Sequence, residues 1–366
     1  MRCLMNQKNK FREQIPQISE EQITLLERLS NAVSVSGDEG AVRKIVLEEV
    51  KPFADSLEID AMGNVLVTRK TDVENPLRVM VAAHMDEVGF MLVNDDGDGL
   101  YRFEIVGGID ERQLVGKSVL VGSDLVPGVI GAKPIHFTNA DELKSKIGLD
   151  SLRIDIGPGG SKKVKVGDRA GFATKFKQVG PSLMGKALDD RLGVATLIEF
   201  VKNPPKNVEL LAAFTVQEEL GLRGARTAAY RLKPDVAFVI DSTPAMDLPV
   251  WDEEENVRYN VHTDAGPAIY MMDAATLSDP RLIRLLVETG DLLEIPYQFR
   301  QPGRGGTDAG AIHKQHGGIP TVSISIPGRY AHSAVMVARL DDWKNGVALV
   351  HAAIQRLNRD LFTQER

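Results

Sequence analysis

Histidine and carboxylate side chains collect at five points of this 366-residue sequence, each just past an apolar run or at the start of a helix. The run 77–83 (LRVMVAA) stops at His84, and Met85, Asp86 and Glu87 follow. The run 208–216 leads into Gln217, Glu218 and Glu219, and the run 236–240 ends at Asp241. From 321–326 the chain reaches His332 within six residues. Asp189 and Asp190 open a helix, where the positive end of the helix dipole favours carboxylates. In an open α/β sheet, ligands bind beyond the carboxyl ends of the strands, so all five points fall at the one edge where such a fold keeps its chemistry.

Each point alone has a plainer explanation. A lone histidine is more often a satisfied or surface residue than a ligand. Two aspartates before a helix are usually a cap with a favourable neighbour. An acidic pair after a strand is usually solvated, and an aspartate closing a strand is often a turn residue. Those explanations do not account for five such points at one edge. Imidazole and carboxylate without thiolate suit Zn²⁺, Co²⁺ or Mn²⁺, and His84, Asp189, Glu219, Asp241 and His332 are too many ligands for one tetrahedral ion. A carboxylate bridging two ions about 3.5–4 Å apart accounts for the number. Strand alternation puts His84 and Asp86 on one face, so Asp86 can orient the His84 ring. Glu218 and Glu219 point differently, so one can bind metal while the other stays free as a general base.

The elements that must position these groups follow from hydrophobic periodicity. Near-continuous apolar runs at 77–83, 208–216, 236–240 and 321–326 read as strands buried on both faces. Between them lie helical patterns at 190–202, at 278–289 closed by Gly290, and from Asp341 onward. Ser19 with Gln22, and Ser36 with Glu39, fit the capping-box pattern ahead of two further helices. Alternation of this kind implies a three-layer α/β/α catalytic domain around a central, mostly parallel sheet. From 89 to 180 the texture changes. Short apolar runs such as 119–121, 129–130 and 164–166 alternate with Gly, Asp and Pro, with one helical stretch at 141–147. This reads as a small all-β, barrel-like domain inserted into the chain. The expected organisation is an N-terminal extension at 1–18, a discontinuous catalytic domain at 19–88 and 181–366, and the inserted β domain at 89–180.

The formal charge of -7, with no lysine or arginine run, argues against nucleic acid or an anionic membrane as partner. The single cysteine, Cys3, excludes a disulfide within the chain and suits a reducing compartment. No stretch approaches the roughly 20 apolar residues of a membrane helix, and the polar amino terminus has no signal-peptide core, so the cytoplasm is the expected location. The HExxH and GxSxG patterns are absent, and the glycine-rich segments lack the spacing of a phosphate loop.

Six segments carry a resemblance. HMDEVGF (84–90), GKALDDR (185–191), QEELGLRGA (217–225), VIDSTP (239–244), GGTDAG (305–310) and IPGRYAHS (326–333) together resemble the M42 family of metallo-aminopeptidases, which includes TET peptidases and glutamyl aminopeptidases. The likeness spans roughly residues 24 to 358, in the same order and spacing, and the inserted β segment matches too. The resemblance implies a co-catalytic aminopeptidase that removes N-terminal residues from peptides, with two divalent ions, Zn²⁺ or Co²⁺, per subunit. It implies Asp189 as bridging carboxylate, His84 with Asp241 at one ion and Glu219 with His332 at the other. Glu218 would be the general base toward the metal-bridging water, Asp86 the support of His84, and a cis peptide would join Asp189 to Asp190. It further implies dimers that assemble into a tetrahedral dodecamer, with the β domain contributing to the contacts. Acidic, basic and apolar side-chain preferences all occur on this fold, so the resemblance does not fix one. Two alternatives stand beside this reading. Members of that family have carried endoglucanase labels, and glycosidases use paired carboxylates, although the histidines then have no task. A non-catalytic scaffold is the other, although no ligand or base is missing.

Overall fold

The computed structural model describes residues 8, 11–248, 261–303, 305–363 and 365. Four parallel strands form the middle of an eleven-stranded sheet, in the order β12 (Val208–Thr215), β3 (Leu77–His84), β13 (Val236–Pro244) and β16 (Thr321–Arg329). Antiparallel strands extend both sides: β2 (Val65–Arg69) and β1 (Ser56–Ile59) beyond β12, and β17 (Met336–Arg339), β11 (Ser182–Gly185) and β10 (Lys177–Val179) beyond β16. The short β14 (Ala268–Tyr270) pairs with β16 and with β15 (Gln298–Arg300). The expected parallel sheet is therefore the central part, where strands are buried on both faces; the half-exposed margins are antiparallel.

Strand alternation sends successive side chains to opposite faces, and each face has its own core. On one side Val79, Val81, Phe214, Phe238 and Ile324 pack against α1 (Glu20–Asn31), α2 (Gly40–Val50), α3 (Leu188–Lys202), α5 (Pro280–Leu293) and α7 (Leu340–Arg356). On the other, Met80, Ala82, Leu211 and Val239 meet the alanine faces of α4 (Arg223–Leu232) and α6 (Ala309–Ile312). These are the three layers.

Six further strands close an antiparallel barrel: β4 (Gly89–Gly97), β5 (Leu100–Val106), β8 (Arg153–Asp155), β7 (Val126–Gly131), β6 (Ser118–Val121) and β9 (Arg169–Phe172). Its interior is a separate apolar cluster in which the Phe90 ring meets Phe103 and Phe172 edge-on at 5.2 and 5.3 Å.

Several local expectations need correction. Ser19 and Gln22 do form a capping box on α1, but Ser36 caps nothing: α2 starts at Gly40, and the Ser36 hydroxyl donates to Asp86 Oδ2 at 2.6 Å. Gly290 does not close α5. It lies buried inside the helix, where a Cβ would come within 2.4 Å of the Tyr297 ring, and the helix ends at Glu294 with φ 56°. The stretch 141–147 holds only a 3-10 turn at Glu142–Lys144, since Leu143 is 57% exposed and no apolar face is buried to stabilise a helix. The run at 164–166 is no strand; Val164 fills the barrel core from a loop. Cys3 lies outside the described residues. Of the N-terminal extension, Arg12 donates to the Leu293 carbonyl at the end of α5 and Lys8 pairs with Glu294. Among the described residues, no helix is long and apolar enough to cross a membrane.

Candidate active site

Parallel pairing sets the ends of the central strands level. Thr215 lies opposite His84, and Ala82 opposite Val239, so Asp241 falls beside His84 at the carboxyl edge. Beyond β12 the chain turns at Gln217, with φ 55°, and delivers Glu218 and Glu219. Gly224, in the first turn of α4, makes that turn fit: a Cβ there would sit 2.3 Å from Asn64 Oδ1 and 2.4 Å from the Val216 carbonyl. Asn64 Oδ1 in turn accepts the Val216 N–H at 3.0 Å. Beyond β16, Tyr330 and His332 both take positive φ, and the bend carries the His332 ring back toward α3. At the head of α3, Asp189 is non-helical and joined to Asp190 by a cis peptide.

The five predicted ligands meet. His84 Nε2 lies 3.4 Å from Asp189 Oδ1 and 3.7 Å from Asp241 Oδ1. His332 Nε2 lies 3.5 Å from Asp189 Oδ2 and 3.4 Å from Glu219 Oε1. The two oxygens of Asp189 thus face two different imidazoles. Three sets of candidate donor atoms lie within 4.8 Å of one another: His84, Asp189 and Asp241; Asp189, Glu219 and His332; and His84, Glu218 and Glu219. Glu218 stands inside this cluster rather than apart from it.

Each ring is fixed by its other nitrogen. His84 Nδ1 is 3.2 Å from the Asp86 backbone carbonyl and 3.6 Å from its carboxylate. His332 Nδ1 is 2.8 Å from the carbonyl of Gly108, on the segment leaving the barrel strand β5. The Asp86 carboxylate, expected to orient His84, also holds the backbone beyond β12. Its Oδ1 accepts the Glu218 N–H at 3.0 Å, and its Oδ2 accepts the Glu219 N–H at 3.2 Å together with the Ser36 hydroxyl.

Electrostatics mark the cluster as a crowd of buried, interacting charges. Burial pushes Glu218 well above the usual carboxylate range, and the charges of Asp241, Asp308 and Glu219 add to the rise. Burial takes Glu219 to about 7 and Asp241 to about 6, with Asp189 contributing to both. Burial alone lowers a histidine, but contact with Asp189 and Glu219 lifts His332 to about 10. Burial likewise opposes protonation of His84, which Asp189, Asp241 and Asp86 hold well above its ordinary value. Asp189 stays low despite burial because both imidazoles face it. Four carboxylates so enclosed call for bound positive charge, and a set of two imidazoles with carboxylates and no thiolate fits a divalent ion of the Zn²⁺ or Co²⁺ kind.

The residues missed from sequence are supports. Ser36 looked like a helix cap. Asp308, inside GGTDAG, is buried with Oδ2 accepting from Thr215 Oγ1 at 2.5 Å, and burial raises it to about 7. Asp190 accepts the His84 N–H at 3.3 Å and the Gly193 N–H at 3.0 Å. Glu87 is held in a buried ion pair by Lys186 at 2.8 Å, with Arg191 at 3.4 Å. A cavity of about 620 Å³ opens over the cluster, lined also by Leu222, Pro244, Tyr270, Ala275 and Arg300.

A model of the M42 glutamyl aminopeptidase family matches residues 63–349. A relative from Acetivibrio thermocellus bearing an aminopeptidase name is 37% identical over 340 residues, covering 92% of this chain and 99% of its own. A TET aminopeptidase from a Thaumarchaeota archaeon of marine sediment superposes with TM-score 0.88 at 32% identity, covering 94% of this chain and 98% of that one. The TET1 peptidase of Pyrococcus horikoshii, which can assemble into a tetrahedron or a large octahedral shell, gives TM-score 0.80 at 33% identity, with 92% and 100% covered. The glycoside hydrolase and the non-catalytic scaffold both give way to these likenesses. By sequence and by fold, the chain belongs to the M42 glutamyl aminopeptidase family and is a peptidase that hydrolyses peptide bonds.

Proposed function

We propose that the chain is a co-catalytic two-metal aminopeptidase, removing N-terminal residues from peptides. The observation that carries this reading is Asp189, whose two carboxylate oxygens face His84 and His332 separately. Asp189 would bridge two ions, with His84 and Asp241 completing one position and Glu219 and His332 the other. Two divalent cations, Zn²⁺ or Co²⁺, supply Lewis acidity that polarises the scissile carbonyl and acidifies the attacking water. Glu218 takes the proton from that water at its carboxylate and returns it to the leaving amine. Its burial suits this exchange, because a desolvated carboxylate is a stronger base than an exposed one. Asp86 holds the Glu218 backbone, and the surrounding carboxylates offer a place for the substrate's free α-amino group.

The division of the chain into an extension at 1–18, a catalytic domain at 19–88 and 181–366, and an inserted barrel domain at 89–180 belongs to the same proposal. So does a cytoplasmic location, resting on a sole cysteine. Copies of the chain are proposed to form dimers and a tetrahedral dodecamer through the barrel domain. Exposed Ile135, Phe137 and Leu143 on its β7–β8 connection support a protein interface there.

The test is release of p-nitroaniline from Leu- or Glu-p-nitroanilide, abolished by chelator and restored by Zn²⁺ or Co²⁺. Glu218→Gln is expected to retain bound metal while turnover falls by a factor on the order of 10² to 10⁴, the range of general-base catalysis. Wild-type turnover in that variant would remove Glu218 from its role.

A further inference from the structure

A second cavity, of about 610 Å³, lies between the barrel and the loop that precedes α2, and it shares no lining residue with the cavity over the cluster. Its walls carry four cations, Lys162, Lys163, Lys165 and Arg169, against two carboxylates, Asp38 and Asp168. The sign is the reverse of the chain as a whole, whose formal charge is -7. All four cations come from the segment 162–169, and that segment is tied down. Val164 is buried in the barrel core, and its carbonyl accepts the Tyr101 hydroxyl at 3.4 Å. The Lys165 N–H donates to Asp168 Oδ2 at 3.0 Å. The three lysines are left exposed, and among the described residues none of them has an ion-pair partner. Arg169, at the start of β9, is held more closely: Nε donates to the Ser36 carbonyl at 3.4 Å and Nη1 to the Gly167 carbonyl at 3.1 Å. Nη2 makes no hydrogen bond among the described residues and lies beside Gly37, 3.4 Å from where a Cβ would stand. A side chain at 37 would cover that edge of the guanidinium, and glycine leaves it open.

We propose that this cavity is a binding site for a small anion carrying two or more phosphoryl groups. Arg169 supplies a donor fixed in place, and the lysines supply point charges on flexible stems that adapt to tetrahedral oxygens. Concave walls of one predominant sign concentrate such an anion. The volume is that of a small-molecule site, which neither a duplex nor a bilayer surface enters. No aromatic ring lines it, so a nucleobase has nothing to stack on, and the ligand is a di- or triphosphate without a base.

The full-length protein is titrated calorimetrically with tripolyphosphate, both metal-loaded and after chelator treatment, because divalent ions at the active site would also take phosphate. Saturable binding is expected in both forms. It should be at least about tenfold tighter than for inorganic phosphate and weaken at least about tenfold between roughly 50 and 500 mM NaCl. Lys163→Glu combined with Lys165→Glu is expected to weaken it on the order of 10²-fold, two charge-assisted contacts at about tenfold each, and Arg169→Gln about tenfold. Both lysines are exposed, so the double variant should fold, and circular dichroism checks that it has. Absence of saturable binding overturns the proposal, as does binding that the folded double variant leaves unchanged. Binding confined to the metal-loaded form would place the anion on the metal centre and overturn it as well. Citrate bound as tightly as tripolyphosphate, or adenosine triphosphate bound more than about tenfold tighter, would overturn the assigned ligand class. So would tighter binding to phosphatidylserine vesicles or to single-stranded DNA, since either would make the lysines part of an open macromolecular surface.

Discussion

Asp86→Asn separates two ways in which Asp86 could matter. The carboxylate is fully buried and ionised, its pKa lowered against the pull of burial by His84 and Ser36. It accepts three hydrogen bonds, from the Glu218 N–H, the Glu219 N–H and the Ser36 hydroxyl. Asparagine offers one carbonyl oxygen and one NH₂. If the oxygen keeps Glu218, the NH₂ confronts the Glu219 N–H, while the Ser36 hydroxyl can rotate and accept. One half-buried backbone donor, the Glu219 N–H, is then stranded, at a cost of about 1–3 kcal/mol, and the surviving bonds lose their charge assistance. Relief of charge crowding among the nearby carboxylates offsets part of this, leaving a net of about 2–3 kcal/mol borne by the turn that carries Glu218.

In rate terms that is about 30- to 150-fold, at 1.36 kcal/mol per decade, and it should appear in kcat because Glu218 acts on the reacting atoms. His84 Nδ1 keeps the nearer Asp86 backbone carbonyl in the variant and gives up only the charge of the carboxylate 3.6 Å away. Metal occupancy should therefore stay near the wild-type value. The assay is kcat and KM on an aminoacyl anilide, with bound metal measured by elemental analysis on the same sample. Ser36→Ala, which removes one of the three donors and strands none, should show a smaller fall, about tenfold. Wild-type kcat in Asp86→Asn refutes the reasoning. Loss of metal with unchanged turnover per bound ion refutes it differently, since Asp86 would then act through His84.

Gly224→Ala is expected to destabilise the protein by about 3 kcal/mol despite alanine's better helix propensity, because its Cβ meets backbone at Val216; an unchanged denaturant midpoint would contradict the close approach. His351 is buried against Phe200, with Nε2 2.9 Å from the Asn203 carbonyl, and burial pulls it to about 4. Its neutral form contributes stability that is present above the unfolded value of about 6.5 and lost as pH falls through about 4, so His351→Leu should erase about 2 kcal/mol of the drop in unfolding free energy between about pH 7 and 5. An identical pH slope in that variant would sink the assignment.

The cluster was legible because each of its members is announced locally. His84, Asp241 and the Glu218–Glu219 pair follow runs such as 77–83, whose unbroken apolar character requires a strand covered on both faces. Parallel strands then force their carboxyl ends to one edge, so chain order alone predicts convergence. The helix starts were less legible. Ser36 and Glu39 have the spacing of a capping box, but Ser36 faces a buried carboxylate some fifty residues away, and spacing does not report which acceptor is nearer in space. Gly290 failed as a helix stop for a related reason. A glycine that ends a helix and one that admits a neighbouring ring look alike in sequence, and only the position of Tyr297 separates them.

What the side-chain pattern leaves out is the main chain's share in aiming the imidazoles. The partners of His84 Nδ1 and His332 Nδ1 include main-chain carbonyls, those of Asp86 and Gly108. A carbonyl is present at every position and leaves no mark on residue type; its placement depends on the path of the backbone. For His332 that path is the exit from the barrel, at Gly107 with φ 91° and Gly108, where a Cβ would stand 3.3 Å from the ring. The barrel thus reaches the cluster through a peptide group. Alanine scanning would rank its residues by their packing and pass over this contact, because substituting a side chain leaves the carbonyl in place. Changes that move the backbone at 107–108 are the ones that register, and they act on the orientation of His332 without touching any of the five proposed ligands.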